Sequence, residues 1–591
     1  MIFEIGSSIP TFKTLNFRPG LNILLADRSD VSEDTDTRNG VGKSSVIQII
    51  HFLLGGSKTK TFLESPSVAD AHFRGTFEFG GINVEVLRRV NDPSVVVVDF
   101  PDGIPDDAEV AVDLLGEAKM DVTDWTRWLG HQVFDLPIRR TSDALRSEHA
   151  PSFRSMFGYF ARRREDGGFF QPRIFYRTQA ESDARIALSY LFGLDWEIAL
   201  EFEKVREERR RNKEDRKRLA ARVDPKQNTI GRMINALAAA DQDAAELREQ
   251  VANFQVEALF SELADEADGE LAKLEKLSRE ATRLTSSLRH LSESLHKEIG
   301  PDGDVVERMY REAGITLPGS VAKRFEDVKS FHESVLRNRQ VHLAAERDRV
   351  QTRLAEINGE KQRASSRRSE ILTQLEGKGA FSDLAELSSR LAEKDEVAAR
   401  LRSQVDEARN TQKAQTAIKA SENTLLARLQ NDLDARVDAV NDAVNAVREA
   451  RTSLYAERFG TFEINAKQSG PEFKLEIEGD RSGGISNMEI FCFDYALYKV
   501  VADRFGGPGF LIHDSHLFDG VDGRQQAKAI ELGAALTKAV GGQYITMWNS
   551  DELDKLVEKD LFSAGFAVQD HVLPVVLQDP ETGGLFGFRF D

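Results

Sequence analysis

Residues 36–45 read DTRNGVGKSS, and the second half of this stretch has the pattern of a phosphate-binding loop. The full pattern is G-x-x-x-x-G-K-[ST], and counting back from Gly42 places Thr37 where the first glycine is expected. That position lies at the outer edge of such a loop, where a glycine helps the turn but contributes no side chain. The stretch therefore predicts nucleotide-binding residues at Asn39, Gly40, Gly42, Lys43, Ser44 and Ser45.

The chemistry of the predicted site follows from these residue types. Main-chain N–H groups at a helix N-terminus surround the phosphates, the Lys43 ammonium neutralises the β and γ oxygens, and the Ser44 hydroxyl binds Mg²⁺. A short apolar strand, NILLA (22–26), precedes the loop, and SSVIQIIHFLLGG (44–56) follows it with the pattern of a helix. The insertion DRSDVSEDTDT (27–37) is unusual, because strand and loop normally adjoin.

Composition limits the class of protein. A chain of 591 residues exceeds what one hydrophobic core usually organises, so at least two structural parts are expected. The one cysteine, Cys492, excludes an internal disulfide and a CxxC zinc hook. The N-terminus, MIFEIGSSIP, has no signal-peptide pattern and no apolar run is long enough to cross a bilayer, so we expect a cytoplasmic protein without membrane contact. The net charge of −19 requires any contact with DNA to use a local patch.

Three regions differ in pattern, and they predict the domains 1–195, 196–456 and 457–591. The outer regions mix strands and helices: residues 72–90 alternate around Gly80 and Gly81 like a hairpin, and FGTFEINAK and EFKLEIEG read as strands. The middle region has long polar helices with apolar residues at heptad spacing. An α/β head split in sequence by a long antiparallel coiled coil is the predicted fold.

Two heptad seams mark the coiled coil, with a chain reversal predicted at 298–320 and an elbow at 376–381, where Gly and Pro concentrate. We expect each seam to be continuous helix. The first seam consists of Leu274, Leu277, Ala281, Leu284, Leu288, Leu291 and Leu295, and the second of Leu384, Leu387, Leu391, Lys394, Ala398, Leu401, Val405 and Ala408.

The second half of the nucleotide site is expected after residue 456. GFLIHDSH (509–516) is an apolar strand that ends in Asp514, a carboxylate that can bind Mg²⁺. RSGGISN (481–487) offers Ser482, Gly483 and Gly484 at the start of a helix, where N–H groups can meet a phosphate.

The order of these motifs resembles that of the SMC and RecN group of ABC-type ATPases, and more narrowly of a bacterial branch often encoded in defence-type gene clusters. The resemblance implies that two heads dimerise around two ATP molecules with Mg²⁺. It assigns Lys43, Ser44 and Asp514 to one head and Ser482 and Gly484 to the other. It also implies a Q-loop glutamine that binds the metal, with Gln179 the first choice and Gln171 the second.

Two departures from the family pattern put hydrolysis in question. The position after the aspartate, usually a catalytic glutamate, is Ser515, so His516 or Asp519 is the candidate base. The switch histidine is replaced by Trp548 or Asn549 in QYITMWNS (543–550). A slow ATPase with candidate catalytic residues Asp514, Ser515 and His516 is consistent with this sequence.

A basic stretch, KVREERRRNKEDRKRLAAR (204–222), carries ten Lys or Arg against four Asp or Glu, so it is either a DNA-binding surface or a solvated coiled-coil face. The leading hypothesis is an ATP-controlled DNA clamp or sensor that acts in defence or DNA repair with a separate effector. The alternatives are a nucleotide-dependent scaffold, and a metal-dependent nuclease that uses His513, Asp514, His516, Asp519 and Asp522. The candidate DNA-binding residues are Arg209, Arg210, Arg211, Arg216, Lys217 and Arg218.

Overall fold

The computed structural model shows a mixed α/β protein that is mostly helical. Three predictions fall wholly or partly outside the described residues: Asn39, Gly40 and Ser482 as ligands, most of the chain reversal, and positions 376–379 of the elbow. The structure describes residues 1–27, 42–59, 61–113, 116–138, 142, 144–254, 261–297, 319–375, 380–478, 483–579 and 582–590.

The chain divides into two compact units. The first unit, here called the head, contains residues 1–206, 304–323 and 421–591, and the second unit contains residues 207–303 and 324–420. No helix among the described residues is long and apolar enough to cross a membrane.

A parallel sheet at the centre of the head joins distant parts of the chain in the order β11-β12-β3-β13. The apolar strand β12 lies between β11 and β3, with Ile545 opposite both Ile512 and Asn22. Its first six residues are buried, as is typical of a parallel strand covered on both faces. The strand bounds are β3 Gly20–Asp27, β11 Phe510–His513, β12 Gln543–Asn549 and β13 Leu577–Gln578.

A seven-stranded antiparallel sheet forms a second layer of the head, in the order β2-β1-β4-β5-β6-β8-β7. The predicted hairpin at 72–90 is confirmed as β4 and β5, and Gly80 (φ 58°) and Gly81 (φ 81°) provide the left-handed turn that a two-residue hairpin loop requires. The strands are β1 Ile2–Ser7, β2 Leu15–Asn16, β4 His72–Phe79, β5 Ile82–Arg89, β6 Val95–Asp99, β7 Ala111–Val112 and β8 Ala118–Asp121.

The predicted strands after residue 456 form a separate hairpin, β9 Gly460–Lys467 with β10 Gly470–Ile477. The helix predicted after the phosphate-binding motif is α1, which packs in the main hydrophobic core of the head. The other helices of the head are α2 Val122–Phe134, α3 Phe153–Phe157, α4 Glu181–Leu191, α10 Val437–Leu454, α11 Gly483–Phe505, α12 Gly523–Val540 and α13 Ser550–Glu558, and α1 is Lys43–Leu53.

The second unit contains antiparallel helix pairs. Arg402 pairs with Asp241 and Lys394 with Asp243, so α6 runs antiparallel to α9. Arg367 pairs with Glu266 and Arg353 with Glu280, so α7 runs antiparallel to α8. Helices α5, α8 and α9 have residues in both units. The bounds are α5 Trp196–Ala220, α6 Ile230–Ala252, α7 Ser261–Lys297, α8 Gly319–Leu375 and α9 Ala380–Ala435.

Both heptad seams lie in continuous helices, as predicted, but they have different partners. Leu277 of the first seam packs on Ile357 of α8, whereas Leu391 of the second packs on Leu247 of α6. The periodic pattern identifies the buried face of each helix, but it does not specify which helix covers that face. The described helices end at Leu375 and resume at Ala380, at the position of the predicted elbow.

Candidate nucleotide site

Three parallel strands place their C-terminal ends at one edge of the central sheet of the head. Asp514 directly follows β11, Asn549 ends β12 and Asp27 ends β3. Because the strands run parallel and in register, polar residues far apart in sequence meet at this edge. The carboxyl edge of a parallel sheet is the usual place for a ligand in such folds.

Helix α1 begins at the same edge with the geometry of an anion-binding N-terminus. Its N-cap, Gly42, has a left-handed backbone (φ 100°), no side chain caps the helix there, and the first turn contains no acidic residue. A helix N-terminus carries partial positive charge and N–H groups without intrahelical partners. This end of α1 can therefore receive phosphate oxygens.

The side chains of Lys43 and Ser44 reach the strand ends. The Ser44 hydroxyl donates a hydrogen bond of 2.6 Å to Asp514 Oδ2, and Lys43 Nζ donates one to Asn549 Oδ1. Lys43 is 9 % exposed and Asp514 is 3 % exposed, so an ammonium, a hydroxyl and a carboxylate meet in a largely desolvated place. Hydroxyl and carboxylate oxygens are the protein ligands that Mg²⁺ prefers, so Ser44 and Asp514 fit a shared metal ion.

Ser515 and His516 follow the aspartate in a short 3-10 helix. The Ser515 hydroxyl donates to Asp514 Oδ1 (3.0 Å), and His516 Nδ1 lies 2.5 Å from Asp519 Oδ2. With the hydrogen on Nδ1, Asp519 accepts it and the lone pair of Nε2 is available to accept a proton. The His516 ring also contacts Phe169 edge to face, with 5.7 Å between the ring centroids.

The two candidates for the switch position have different surroundings. Trp548 is fully buried, its Nε1 donates to Thr546 Oγ1 (3.0 Å), and its ring packs on Phe518. Asn549 Oδ1 instead accepts a hydrogen bond from the ammonium group of Lys43. Of this pair, Asn549 is the residue whose side chain lies at the candidate site.

The predicted glycines after residue 480 begin helix α11. Gly483 has open space around its Cα, whereas a Cβ atom on Gly484 would overlap the carbonyl oxygen of Gly520. Asn487, one turn later, donates to the carbonyl oxygen of Asp519 (3.1 Å). The start of α11 therefore packs directly against the loop that follows Asp514, and this close approach requires a glycine at position 484.

The glutamine candidates lie in or after the loop 163–174, which follows the segment that pairs with β11 at Ala161. Gln179 is 6 % exposed, its Oε1 accepts the N–H of Phe175 (3.0 Å) and its Nε2 donates to Tyr159 Oη (3.5 Å), so both ends of its amide are engaged within the head. Gln171 is two residues from Phe169, which contacts His516. A metal-binding role for Gln179 would require its amide to leave these partners.

His516 and Asp519 are in contact, but the five residues proposed for a nuclease metal site do not form one cluster. His513 is fully buried, Nδ1 lies 3.1 Å from Tyr544 Oη and Nε2 lies 3.4 Å from Asp494 Oδ2. Burial lowers the pKa of the His513 imidazole, although Asp494 opposes this effect. Within the described part of the chain, no three His, Cys, Asp or Glu side chains are arranged to hold a metal ion.

The six candidate DNA-binding residues of α5 are all exposed on the helix surface. Arg211 pairs with Glu207, Arg218 pairs with Asp215 and Arg216 donates to Gln415, while Asn212 faces α9 and donates to Thr411. Residues seven apart lie on nearly the same side of a helix, and consecutive residues are about 100° apart, so the six cations form three rows spread around the helix. These rows are 209 with 216, 210 with 217 and 211 with 218.

A buried ion pair that the sequence patterns did not predict lies in the head, beside strand β11. Arg162 and Asp494 have fully buried side chains, with Nε and Nη2 of the arginine 2.6 and 2.7 Å from the two carboxylate oxygens. A signal for this pair is present in the sequence: Asp494 interrupts the apolar run IFCFDYAL (490–497) of α11. A charge at such a position is rarely buried without a partner.

Two segments of the chain match family models. Residues 450–590 match a family described as an uncharacterised protein conserved in bacteria, DUF2326. Residues 286–408 match C-terminal domain 10 of the ABC-three component (ABC-3C) systems. Each match spans less than half of the chain, so each is a similarity of one part.

Solved structures with similarity include two archaeal Smc heads. The Smc head domain with a coiled coil and joint from Pyrococcus yayanosii is 15 % identical, with 94 % of this chain and 93 % of that chain covered and a TM-score of 0.33. The Smc head domain with an extended coiled coil bound to the C-terminal domain of ScpA, from Pyrococcus furiosus, is 11 % identical, with 94 % and 91 % covered and a TM-score of 0.30. A comparison with curated proteins found no match.

Proposed function

We propose that this protein is an SMC-like ATPase whose heads bind ATP with Mg²⁺ and dimerise, and that it engages DNA as a subunit of a bacterial defence or repair complex. The observation that carries the proposal is the 2.6 Å hydrogen bond between Ser44 and Asp514, residues 470 positions apart in sequence. It joins the start of α1 to the end of β11. A helix N-terminus with a lysine, a hydroxyl and a strand-end carboxylate is the combination that nucleotide phosphates and Mg²⁺ require.

The roles of the residues in ATP binding follow from their places at the sheet edge. Lys43 neutralises phosphate charge, and the first N–H groups of α1 donate to phosphate oxygens. Ser44 and Asp514 would hold Mg²⁺, which supplies additional neutralisation of the phosphates when it is bound. Asn549, whose Oδ1 accepts a hydrogen bond from Lys43 in this structure, would act as a sensor of the terminal phosphate.

The second head would complete each site. In the proposed dimer, Ser482, Gly483 and Gly484 of one copy face the nucleotide of the other, and the N-terminus of α11 supplies N–H donors there. The contact of Gly484 with Gly520 supports this role, because it links the start of α11 to the loop after Asp514. The most direct experiment measures self-association by analytical ultracentrifugation with and without Mg-ATP, in the presence and absence of duplex DNA ends. A monomer under all four conditions would reject the dimer.

Hydrolysis would use His516 as general base, because Asp519 orients its imidazole at 2.5 Å and no carboxylate occupies position 515. The scaffold alternative is favoured by Ser515, whose hydroxyl is directed to Asp514 and cannot replace a glutamate. A steady-state ATPase assay separates the two. His516→Gln should lower a measurable rate at least tenfold, and Ser515→Glu should raise it, whereas a pure scaffold shows no rate that depends on His516.

DNA binding would use the three basic rows of α5. On a chain with a net charge of −19, long-range repulsion opposes DNA, so a local cluster of cations has to provide the contacts. If each copy in a dimer neutralises about three phosphates, the slope of log K against log salt approaches about −5. Reversing the charges of Arg210, Arg211 and Lys217 should abolish most duplex binding and leave ATP-driven association intact. Unchanged DNA affinity of this variant would exclude α5 as the DNA surface.

Separate partner subunits are part of the proposal. The match of residues 286–408 to a domain of three-component systems supports an assembly with additional proteins. The nuclease alternative is not favoured, because its two histidines have different partners. His513 contacts Tyr544 and Asp494, whereas His516 contacts Asp519. An effector activity would therefore belong to another chain of the complex.

A further inference from the structure

One buried guanidinium organises the loop 163–174. Arg162 is 1 % exposed, and besides its two bonds to Asp494 it donates to the carbonyl oxygens of Gly168 (2.8 Å), Ile174 (2.7 Å) and Pro172. Its Nη1 also lies 3.5 Å from the carbonyl oxygen of Gln171. A single side chain thus fixes the main chain of the loop at several points.

The same guanidinium connects three elements that border the candidate site. Asp494 lies on α11, the helix that begins at Gly483. Asp494 Oδ2 also lies 3.4 Å from Nε2 of His513, the last residue of β11. Two residues before Arg162 in the sequence, the carbonyl oxygen of Phe160 accepts the N–H of Ile512 in β11 (2.8 Å). The loop, α11 and β11 therefore share one buried hydrogen-bond network.

The loop places side chains at the nucleotide edge. Phe169 contacts the ring of His516, and the next residue, Phe170, is 70 % exposed. The loop bends at Gly167 (φ 71°), and a Cβ on Gly168 would lie 2.8 Å from the carbonyl oxygen of Phe175. With these restraints the loop is fixed before any ligand arrives, which reduces the ordering cost of a contact made there.

We propose that Arg162 is a positioning residue that couples ATP binding to engagement of a second copy of this chain, by holding loop 163–174 and α11 in one arrangement relative to β11. The proposal rests on the proposed ATP-dependent dimerisation. ATP binding within one head uses Lys43, Ser44 and Asp514, none of which contacts Arg162. Engagement of the second copy uses the loop and the start of α11, and both depend on Arg162.

The decisive variant is Arg162→Lys, which keeps a positive charge beside Asp494 but loses the planar fork that reaches several carbonyl groups at once. We expect the affinity for Mg-ATP, measured by calorimetry, to stay within about twofold of the wild type. ATP-dependent self-association, measured by analytical ultracentrifugation, should weaken at least tenfold. A purely structural role would lower both quantities together or neither.

Arg88 provides a matched control. It is also 1 % exposed in the head and donates to carbonyl oxygens, those of Phe52, Gly56 (2.7 Å) and Pro93 (2.8 Å). Arg88→Lys should lower the melting temperature by about as much as Arg162→Lys does. It should leave ATP-dependent association of the folded protein at the wild-type level.

The outcomes separate this inference from the function on which it rests. If the wild type does not associate with Mg-ATP, both fail. If the wild type associates and Arg162→Lys associates equally well, only the role of Arg162 is overturned. The same holds if Arg88→Lys keeps its affinity for Mg-ATP but loses ATP-dependent self-association. Should Arg162→Lys not fold, the double variant Arg162→Met, Asp494→Leu removes both charges and avoids an unpaired buried ion. This double variant should also keep its affinity for Mg-ATP and lose ATP-dependent self-association. Self-association at the wild-type level would overturn the positioning role of Arg162.

Discussion

Leu585 packs directly on Gly42, the glycine that caps the first helix of the candidate site: a Cβ atom on Gly42 would lie 2.5 Å from Leu585 Cβ. The segment that carries Leu585 is held by the N-terminal region, since Lys13 Nζ donates to the carbonyl oxygen of Gly583 (2.6 Å) and the N–H of Lys13 donates to that of Leu585 (2.9 Å). A side chain at position 42 is thus opposed both by the left-handed backbone of Gly42 and by the contact with Leu585.

Gly42→Ala should therefore lower the free energy of unfolding by about 2–4 kcal/mol, because the left-handed backbone and the contact with Leu585 both oppose a side chain. Gly20→Ala is the control: Gly20 has a similar φ of 92° but open space around its Cα. Urea unfolding of both variants measures the difference. Equal losses would show that the contact with Leu585 contributes nothing.

Lys43→Ala should weaken ATP binding by about 1.5–3 kcal/mol, or about ten- to a hundredfold, because a charge-assisted contact to the phosphates is lost. Lys58→Ala serves for comparison, since Lys58 Nζ donates to the carbonyl oxygen of Val90 (3.1 Å) in the same head. Calorimetric titration with Mg-ATP provides the measurement. Wild-type affinity in the Lys43 variant would remove the nucleotide site from this edge of the sheet.

Phe170→Ser should weaken ATP-dependent self-association about tenfold or more, because an exposed aromatic ring on a fixed loop gains most when a partner buries it. Ile104→Ser removes another exposed apolar side chain of the head, one that is 50 % exposed, and should leave association unchanged. Sedimentation with Mg-ATP distinguishes the two variants. If both associate like the wild type, Phe170 lies outside the contact between copies.

Asp121→Asn should stabilise the protein increasingly as the pH rises. Burial raises the pKa of the Asp121 carboxyl from 3.8 to about 9, so the folded state holds a proton that the unfolded state releases above its own pKa. The stability of the wild type therefore falls from about pH 4 up to about pH 9 through this group, and an amide has no such dependence. Asn also keeps the helix cap, in which Asp121 Oδ1 accepts the N–H of Thr123 (2.9 Å). Unfolding curves at pH 5 and pH 8 test this, and a constant difference between the proteins would contradict it.

Local signals in the sequence predicted much of the head. Strand β3, helix α1, the hairpin at 72–90 and strand β11 were all predicted, because each has its own periodicity, glycine or cap within a few residues. The sequence also predicted that α1 and Asp514 belong to one site, through the resemblance of motif order. Their contact through Ser44 is a property of the folded sheet.

The features that the sequence did not reveal join residues hundreds of positions apart. Arg162 and Asp494 are 332 positions apart. Asp494 carries a local signal, because it lies in an apolar run, but nothing near it in the sequence identifies Arg162 as its partner. The contact of Leu585 with Gly42 depends likewise on the complete head. The heptad seams predicted the buried faces of α7 and α9 but not their partners, because many amphipathic helices can cover the same apolar face.

The pairing of β3 with β12 has a consequence for biosynthesis. Ala26 and Asn549 are paired in register although 523 positions separate them, so β3 has no sheet to join until almost the entire chain has left the ribosome. At about 5–20 residues per second, this wait lasts roughly 25 to 105 seconds. During that time an apolar strand with an unpaired edge is exposed to other nascent chains, which favours aggregation. Production of this protein should therefore benefit from slow expression and from chaperones that bind extended apolar segments.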